Sequence, residues 1–171
     1  MTGAVFSADR RYRHVLYRDL PRARLFEPDR VGRVLWVLIN PSKADETKPD
    51  PTLTRVLGFS AGFGFASLAI CNLYQLVTPY PEELEAAADP LGPDADLTLQ
   101  REAARAQRVV VGWGAFGARH PERVEAVVVA LQSFATGLWC LGTTRSGQPR
   151  HPLYVRGDTP LEPWTPPAAR R

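Results

Sequence analysis

The chain has 171 residues, of which 44% are hydrophobic and 23% are charged. This size and composition fit one folded domain over residues 1–171 and exclude a disordered or fibrous chain. No apolar run approaches the roughly 20 residues that span a bilayer, and the N-terminus lacks the apolar stretch of a secretory signal, so we expect a cytoplasmic protein without membrane contact. Cys71 and Cys140 each lie in an apolar stretch, which indicates buried thiols, and we expect no metal and no cofactor.

The net charge of +3 is unevenly distributed along the chain. Residues 1–33 carry eight Arg against four acidic residues, and residues 145–171 carry five Arg against two acidic residues. The segment between them carries eight Lys or Arg against twelve acidic residues. If the two basic ends fold to the same side, they form a positive face that attracts phosphate. A solvated basic surface is the alternative interpretation.

The first part of the chain predicts a hairpin, a buried strand and a helix. Residues 10–33 contain β-prone residues followed by a proline and a polar loop, which indicates an N-terminal strand or hairpin. The continuous apolar run 34–39 is typical of a strand buried on both faces, and it ends at Asn40. Asp50 is the predicted N-cap of a helix over 51–61 that has a proline at its first position.

The rest of the α/β core, which we place at 34–144, alternates strands with helices. Three further apolar runs predict buried strands: 67–71, 109–113 and 137–142. The segment 80–107, rich in Ala and Leu and divided by two prolines, predicts helices, as does the one-face spacing of apolar residues after Pro121. The proline-rich segment 145–171 predicts an extended tail that wraps on the domain.

This alternation indicates a three-layer α/β/α sandwich with a mainly parallel central sheet. Ligands of such sheets bind beyond the carboxyl ends of the strands. That rule selects Asn40, Asn72, Trp113 and the loop after Gly142 as the rim of one pocket. The alternative for each asparagine is a bond to loop backbone, which is a routine role of Asn at turns.

Four short motifs follow one another along the chain: Leu-Ile-Asn-Pro-Ser at 38–42, Ala-Ile-Cys-Asn-Leu at 69–73, Val-Val-Val-Gly-Trp-Gly-Ala at 109–115 and His-Pro-Leu at 151–153. They resemble, in the same order, motifs of the uracil-DNA glycosylase superfamily, and the Asn-Pro pair is most similar to its mismatch-specific branch. This resemblance implies a uracil-DNA-glycosylase-like fold.

A second set of motifs points to a narrower family: Asp-Pro-Thr at 50–52, Ala-Asp-Pro-Leu-Gly-Pro at 88–93 and Gly-Gln-Pro-Arg-His-Pro-Leu-Tyr at 147–154. Together with Asn-Pro-Ser and Trp-Gly, they resemble a bacterial and phage family catalogued as domain of unknown function 1643. The resemblance covers about residues 12–164, and it implies no established activity.

The glycosylase resemblance implies roles in cleaving the bond between a base and its sugar. Asn72 is expected to bind the edge of the base, because an amide offers both a donor and an acceptor. We expect Asn40 to orient the attacking water and His151 to donate toward a base carbonyl as negative charge develops there. The residues expected to stack on the base are aromatic: Phe59, Phe63, Phe65 and Tyr74. The residues expected to contact phosphate or DNA are Ser42, Arg145, Arg150, Leu153 and Tyr154.

Two departures from the superfamily pattern bear on catalysis. Pro-Leu-Tyr follows His151, so the serines that hold the DNA backbone in the glycosylases are missing. An amide stands at position 40, where the efficient branch has a carboxylate, and Asp45, Glu46 or Asp50 could substitute for it. The alternatives are a helix cap for Asp50 and solvated loop charges for the other two.

We therefore expect a nucleobase- or nucleotide-binding protein of the uracil-DNA-glycosylase-like type. Its candidate activity is that of a DNA glycosylase, which hydrolyses the N-glycosidic bond of a damaged or modified base, and its expected partner is DNA or a nucleotide. Two alternatives stay open. One is a non-catalytic module that binds a nucleotide or single-stranded DNA, and the other is an enzyme that acts on free nucleotides with Arg145 and Arg150 as phosphate clamps.

Overall fold

The computed structural model describes residues 2–21, 29–42, 50–135 and 137–167, so Asp45 and Glu46 lie outside the described residues. The strands are β1 (Gly3–Phe6), β2 (Arg13–Asp19), β3 (Arg33–Leu38), β4 (Ser67–Asn72), β5 (Arg108–Val111), β6 (Leu138–Cys140) and β7 (Glu162–Trp164). The α-helices are α1 (Pro51–Gly62), α2 (Glu83–Ala86), α3 (Ala95–Ala104) and α4 (Pro121–Gln132), and two short 3₁₀ helices lie at Gly114–Arg119 and Pro152–Tyr154. Within these described ranges, no helix is long and apolar enough to cross a membrane.

The described strands form one mixed sheet in the order β1-β2-β4-β3-β5-β6-β7. The four central strands are parallel to one another, whereas the β1–β2, β2–β4 and β6–β7 pairs are antiparallel. The predicted α/β class is confirmed, but the prediction of a mainly parallel sheet is wrong. The reason is that a tight loop joins β1 to β2, and the tail returns along β6, so both edges gain antiparallel strands without a crossover helix.

The two ends of the chain are integrated into the sheet. The hairpin of β1 and β2 begins at Gly3, before the predicted segment 10–33, and Leu16 of β2 pairs with Ile70 of β4. In the tail, Glu162–Trp164 forms a short edge strand that includes Pro163. An edge strand accommodates proline because the N–H that proline lacks is not needed on the solvent side.

Helices cover both faces of the sheet, and successive residues of each strand alternate between two cores. Val34 and Trp36 of β3 belong to the core that includes α1, whereas Leu35 and Val37 belong to the core that includes α3 and α4. Strand β3 is therefore buried on both faces, as its continuous apolar run predicts.

The start of α1 lies at the carboxyl edge of the sheet, since Asp50 lines the same cavity as Asn40 and Asn72, which lie at the carboxyl ends of β3 and β4. Asp50 is the N-cap, as predicted: its Oδ1 accepts a hydrogen bond from the backbone N–H of Leu53 at 2.6 Å, and Pro51 occupies the first helical position. The cap places a carboxylate at the edge of the sheet where the candidate site lies.

Candidate functional site

A cavity of about 520 Å³ opens at the carboxyl ends of the central strands. Asn40 follows β3, Asn72 ends β4 and Trp113 follows β5; all three line the cavity, together with His151 from the tail. The volume falls within the roughly 300–1,000 Å³ of typical small-molecule sites. The fold thus brings the two asparagines and the histidine to one cavity.

The side-chain amide of Asn72 is buried and has no hydrogen-bond partner among the residues that the structure describes. Its side chain is 3% exposed, and neither Nδ2 nor Oδ1 has a hydrogen-bond partner among the described residues. A buried polar group left unsatisfied costs about 1–3 kcal/mol, so such groups are rare in folded proteins and call for a specific explanation. Because Asn72 lines the cavity, a ligand in the cavity can supply the missing donor and acceptor.

Asn40 is held by the backbone on its donor side. Its Nδ2 donates to the carbonyl oxygen of Thr78 at 2.7 Å and to that of Pro41 at 3.1 Å. These bonds fix the orientation of the amide and tie the turn after β3 to the segment that follows β4. The Oδ1 atom accepts no hydrogen bond from any described residue, so it remains an acceptor for a water or a ligand.

His151 is partly buried and enters the cavity from the tail. Its Nδ1 accepts a hydrogen bond from the backbone N–H of Leu153 at 3.3 Å, which leaves the proton of the neutral ring on Nε2. Burial lowers the pKa of His151 to about 4, although the negative charge of Asp50 acts in the opposite direction. The ring is therefore neutral near pH 7 and offers one N–H donor.

Two glycines after β5 allow the tail to approach closely. A Cβ at Gly112 would lie 3.1 Å from Cδ of Pro152, and a Cβ at Gly114, whose φ is +66°, would lie 3.3 Å from Cβ of His151. The backbone N–H of Gly114 also donates to the carbonyl oxygen of Pro149 at 2.7 Å. Close contact between β5 and the tail is what brings His151 to the cavity.

Helix α1 is joined to the same tail segment by Arg55. The guanidinium donates to the carbonyl oxygen of Val155 and to that of Pro152, the latter at 3.5 Å. It also lies over the Phe59 ring, 5.1 Å from the centroid. Arg55 is not among the residues that line the cavity, yet it holds two of its walls together.

Asp50 lines the cavity from the start of α1. One carboxylate oxygen caps the helix, and the other accepts a hydrogen bond from the hydroxyl of Ser42. Ser42 also lines the cavity, where we expected it to contact phosphate, and its hydroxyl donates to Asp50. Among the lining residues that the structure describes, Asp50 is the only acidic one.

The predicted stacking residues lie outside the cavity lining. Phe59 is buried in the core under α1 and stacks on Phe63 at 5.9 Å between ring centroids. Phe63 and Phe65 border a separate pocket of about 150 Å³. The hydroxyl of Tyr74 lies 3.1 Å from Nδ1 of His120. The fold therefore does not bring these four aromatic side chains to Asn72.

The mouth of the cavity is basic and aromatic. Arg150, Leu153 and Tyr154 line it, and Tyr154 is 78% exposed with its ring centroid 5.8 Å from that of His151. Arg145 is exposed and does not belong to the lining. One of the two predicted phosphate-binding arginines is thus at the site.

Several lining residues were not selected by the sequence analysis, among them Arg13, Thr78 and Phe116. Arg13 is 4% exposed at the start of β2, and burial lowers its pKa to about 10. An arginine at the end of an apolar strand pattern could have indicated a buried cation at this site. Phe116 stacks on His120, four residues further along the chain, at 4.2 Å between ring centroids.

No group of three or more His, Cys, Asp or Glu side chains within the described part of the chain could hold a metal ion. Comparison with curated proteins found no match, and comparison with solved structures found none either. A family model described as "Protein of unknown function (DUF1643)" matches residues 13–153, a span that includes the parallel core, both asparagines and His151. Since this match covers most of the chain, the protein belongs to the DUF1643 family.

Proposed function

We propose that the cavity binds a nucleobase or nucleotide and that the protein is of the uracil-DNA-glycosylase type. The observation that carries the proposal is the buried amide of Asn72, whose donor and acceptor both lack partners among the described residues. The edge of a base offers a hydrogen-bond donor beside an acceptor, which is the complement of a carboxamide.

The state of His151 supports glycosidic cleavage in this cavity. When the bond to the sugar breaks, the electron pair leaves with the base, and negative charge develops on the carbonyl oxygens of the base. A neutral imidazole whose Nδ1 accepts from the backbone carries its proton on Nε2, and this N–H can donate a hydrogen bond to such an oxygen. On the same proposal, Oδ1 of Asn40 accepts a hydrogen bond from the attacking water and holds it in place.

The mouth of the cavity supports a nucleotide rather than a free base. The guanidinium of Arg150 suits the oxygens of a phosphate, and the exposed ring of Tyr154 offers a surface for stacking a neighbouring base. Both residues line the cavity that Asn72 closes on its inner side. A nucleotide would therefore contact the polar interior with its base and the basic mouth with its phosphate.

Binding is tested by calorimetric titration with uracil, hypoxanthine and their nucleotides. Replacing Asn72 by Leu keeps the size of the side chain and removes two hydrogen bonds of about 1 kcal/mol each, so the affinity should fall at least about tenfold. Thr98→Val, a buried polar-to-apolar change in α3 away from the cavity, should bind as the wild type does. Absence of binding to every base and nucleotide would overturn the proposal.

Cleavage is tested on single-stranded and mismatched oligonucleotides that carry uracil, hypoxanthine or xanthine. Alkali-labile product, resolved on a denaturing gel, is the expected result for at least one base. If the wild type binds nucleotides but yields no such product, the enzymatic part of the proposal is wrong and the binding part stands.

A binding module without hydrolysis is the second candidate, and the bonds of Asn40 favour it. An amide whose Nδ2 is held by two backbone carbonyls has the arrangement of a residue that anchors a turn. This candidate predicts binding of single-stranded DNA that weakens steeply with salt. An enzyme of free nucleotides would instead bind a mononucleotide tightly and no oligonucleotide, and calorimetric titration with a mononucleotide and with a single-stranded oligonucleotide separates the two.

A further inference from the structure

The proposed cleavage needs a group that the two asparagines and His151 do not provide. As the glycosidic bond breaks, positive charge develops on the sugar carbon, and the attacking water must lose a proton. Amides are neither charged nor basic, and a neutral imidazole that donates to the base is not available to the water. A carboxylate is the side chain that meets both needs.

Asp50 is held in the cavity in a fixed orientation. Its Oδ1 accepts from the N–H of Leu53, and its Oδ2 accepts from the hydroxyl of Ser42. Each carboxylate oxygen has a second lone pair, so both bonds leave acceptor capacity toward the cavity. No other acidic side chain occurs among the described residues of the lining.

Asp50 and His151 both line this cavity. The negative charge of Asp50 favours the protonated form of the His151 ring and so opposes the lowering of its pKa by burial. On the proposed function, a nucleotide whose base meets His151 would bring its sugar toward the wall that carries Asp50.

We propose that Asp50 is the catalytic carboxylate of this cavity, an inference that rests on the proposed glycosylase function. The bond from the sugar C1′ to the base nitrogen breaks with its electron pair on the base, to which His151 donates a hydrogen bond. The oxygen of a water then bonds to C1′, and that water transfers one proton to Asp50, which releases it to solvent. The base takes up one proton from solvent, so one water is consumed for each free base released.

The variant Asp50→Asn separates catalysis from helix capping. Asn is about as good an N-cap as Asp and keeps the size of the side chain, so a role in capping alone predicts no change. We expect the cleavage rate to fall about 100-fold or more, as for loss of a general base, with the nucleotide Kd and the midpoint of thermal unfolding unchanged. Glu122→Gln, which removes an equal charge from α4 outside the cavity, should keep the wild-type rate.

A second measurement does not depend on activity. The pKa of His151, followed by NMR of the imidazole, should be lower in Asp50→Asn than in the wild type, because the charge that raises it is gone. Helix capping by Asn would not reproduce this change, and Glu122→Gln should leave the pKa of His151 unaltered.

The outcomes distinguish this inference from the proposed function. If the wild type cleaves a base and Asp50→Asn cleaves it equally fast, Asp50 is only a cap, and the glycosylase function stands. If the wild type cleaves none of the three bases, the glycosylase function fails, and the role of Asp50 fails with it. An unchanged pKa of His151 would overturn the placement of the charge on which the inference depends.

Discussion

Two buried polar side chains of this protein, Glu102 in α3 and Asn72 in β4, are partnered in opposite ways. Glu102 is 0% exposed, and its Oε1 accepts a hydrogen bond from the hydroxyl of Tyr17 at 2.8 Å. Its Oε2 accepts no hydrogen bond from the described residues but forms an ion pair with Nη2 of Arg33 at 3.5 Å, and Arg101 and Arg105 pair with Oε1. Asn72 is almost as buried, and none of the described residues bonds to its amide.

This contrast distinguishes a polar group that supports the fold from one that we propose to bind a ligand. A polar side chain that only supports the fold finds its partners within the fold, because an unsatisfied buried group lowers stability. Burial alone would rank Glu102 and Asn72 together. The number of partners, rather than the exposed fraction, is what points to a ligand at Asn72.

The largest effect on stability is expected at Glu102. Replacing it by Ala leaves the hydroxyl of Tyr17 without its acceptor and removes the partner of three arginines that are 22–58% exposed, so the free energy of unfolding should fall by about 3 kcal/mol. Urea denaturation measures this, and nucleotide affinity of the folded protein should not change. Glu122→Ala, on an exposed surface, should stay within about 0.5 kcal/mol of the wild type. A loss below about 1 kcal/mol at Glu102 would remove the contrast with Asn72.

The next effect is the pH dependence that His151 introduces. Its pKa is about 4 in the folded protein and about 6.5 in the unfolded chain. The unfolded chain therefore binds a proton first as the pH falls, so stability present above pH 6.5 is lost between pH 6.5 and pH 4. By pH 5 the loss should be about 2 kcal/mol.

The matched variant for that measurement is His151→Gln. The free energy of unfolding of each protein is obtained from urea curves at pH 8 and pH 5. Between these two pH values the variant should lose about 2 kcal/mol less than the wild type loses. Parallel declines in the two proteins would show that His151 is protonated as readily in the cavity as in the unfolded chain.

A pair of glycine substitutions tests the contact that brings the tail to the cavity. Gly114→Ala should lower the free energy of unfolding by about 1–2 kcal/mol, because alanine disfavours a positive φ and its Cβ would press on His151. Gly58→Ala meets no atom within 4 Å in the middle of α1, so it should raise stability by up to about 1 kcal/mol. Thermal unfolding of both variants checks whether the first loses stability and the second gains it. Shifts of the midpoint in the same direction would contradict this expectation.

The smallest expected change in the free energy of unfolding is that of Asn72→Leu, and its sign distinguishes a binding role from a structural one. Asn72→Leu removes an unsatisfied amide, so the free energy of unfolding should stay unchanged or rise by about 1 kcal/mol, while on the proposed function the nucleotide affinity falls at least about tenfold. Urea denaturation of the ligand-free protein measures it beside Thr98→Val. A clear loss of stability would mean that the amide of Asn72 supports the fold, as the carboxylate of Glu102 does.

The sequence was sufficient to select Asn40 and Asn72, because each follows an apolar run and the carboxyl ends of parallel strands meet at one edge. It could not distinguish them, since the difference depends on the carbonyl oxygen of Thr78, which lies far along the chain. The α/β class likewise follows from local patterns. The antiparallel edges do not, because the pairing of β7 with β6 is decided by the path of an irregular tail.

The aromatic residues show a different limit. In α1 the apolar residues Leu53, Val56 and Phe59 recur at helical spacing, and this pattern assigns Phe59 to the face that packs on the sheet. The sequence therefore contained the signal for its place in the core. For Tyr74 the decisive contact is with His120, which lies 46 residues further along the chain, so local spacing could not assign it.

The hydrogen bonds from Arg55 to the tail are among the contacts that hold α1 beside the tail segment. Asp50 lies at the start of α1 and His151 lies in that segment, so a guanidinium outside the lining helps to fix the distance between two of the cavity walls. Shortening Arg55 would loosen this connection while every side chain of the lining stays the same. On the proposed function, selection for bulkier ligands, in nature or in directed evolution, would thus act on a position that a survey of ligand contacts leaves out.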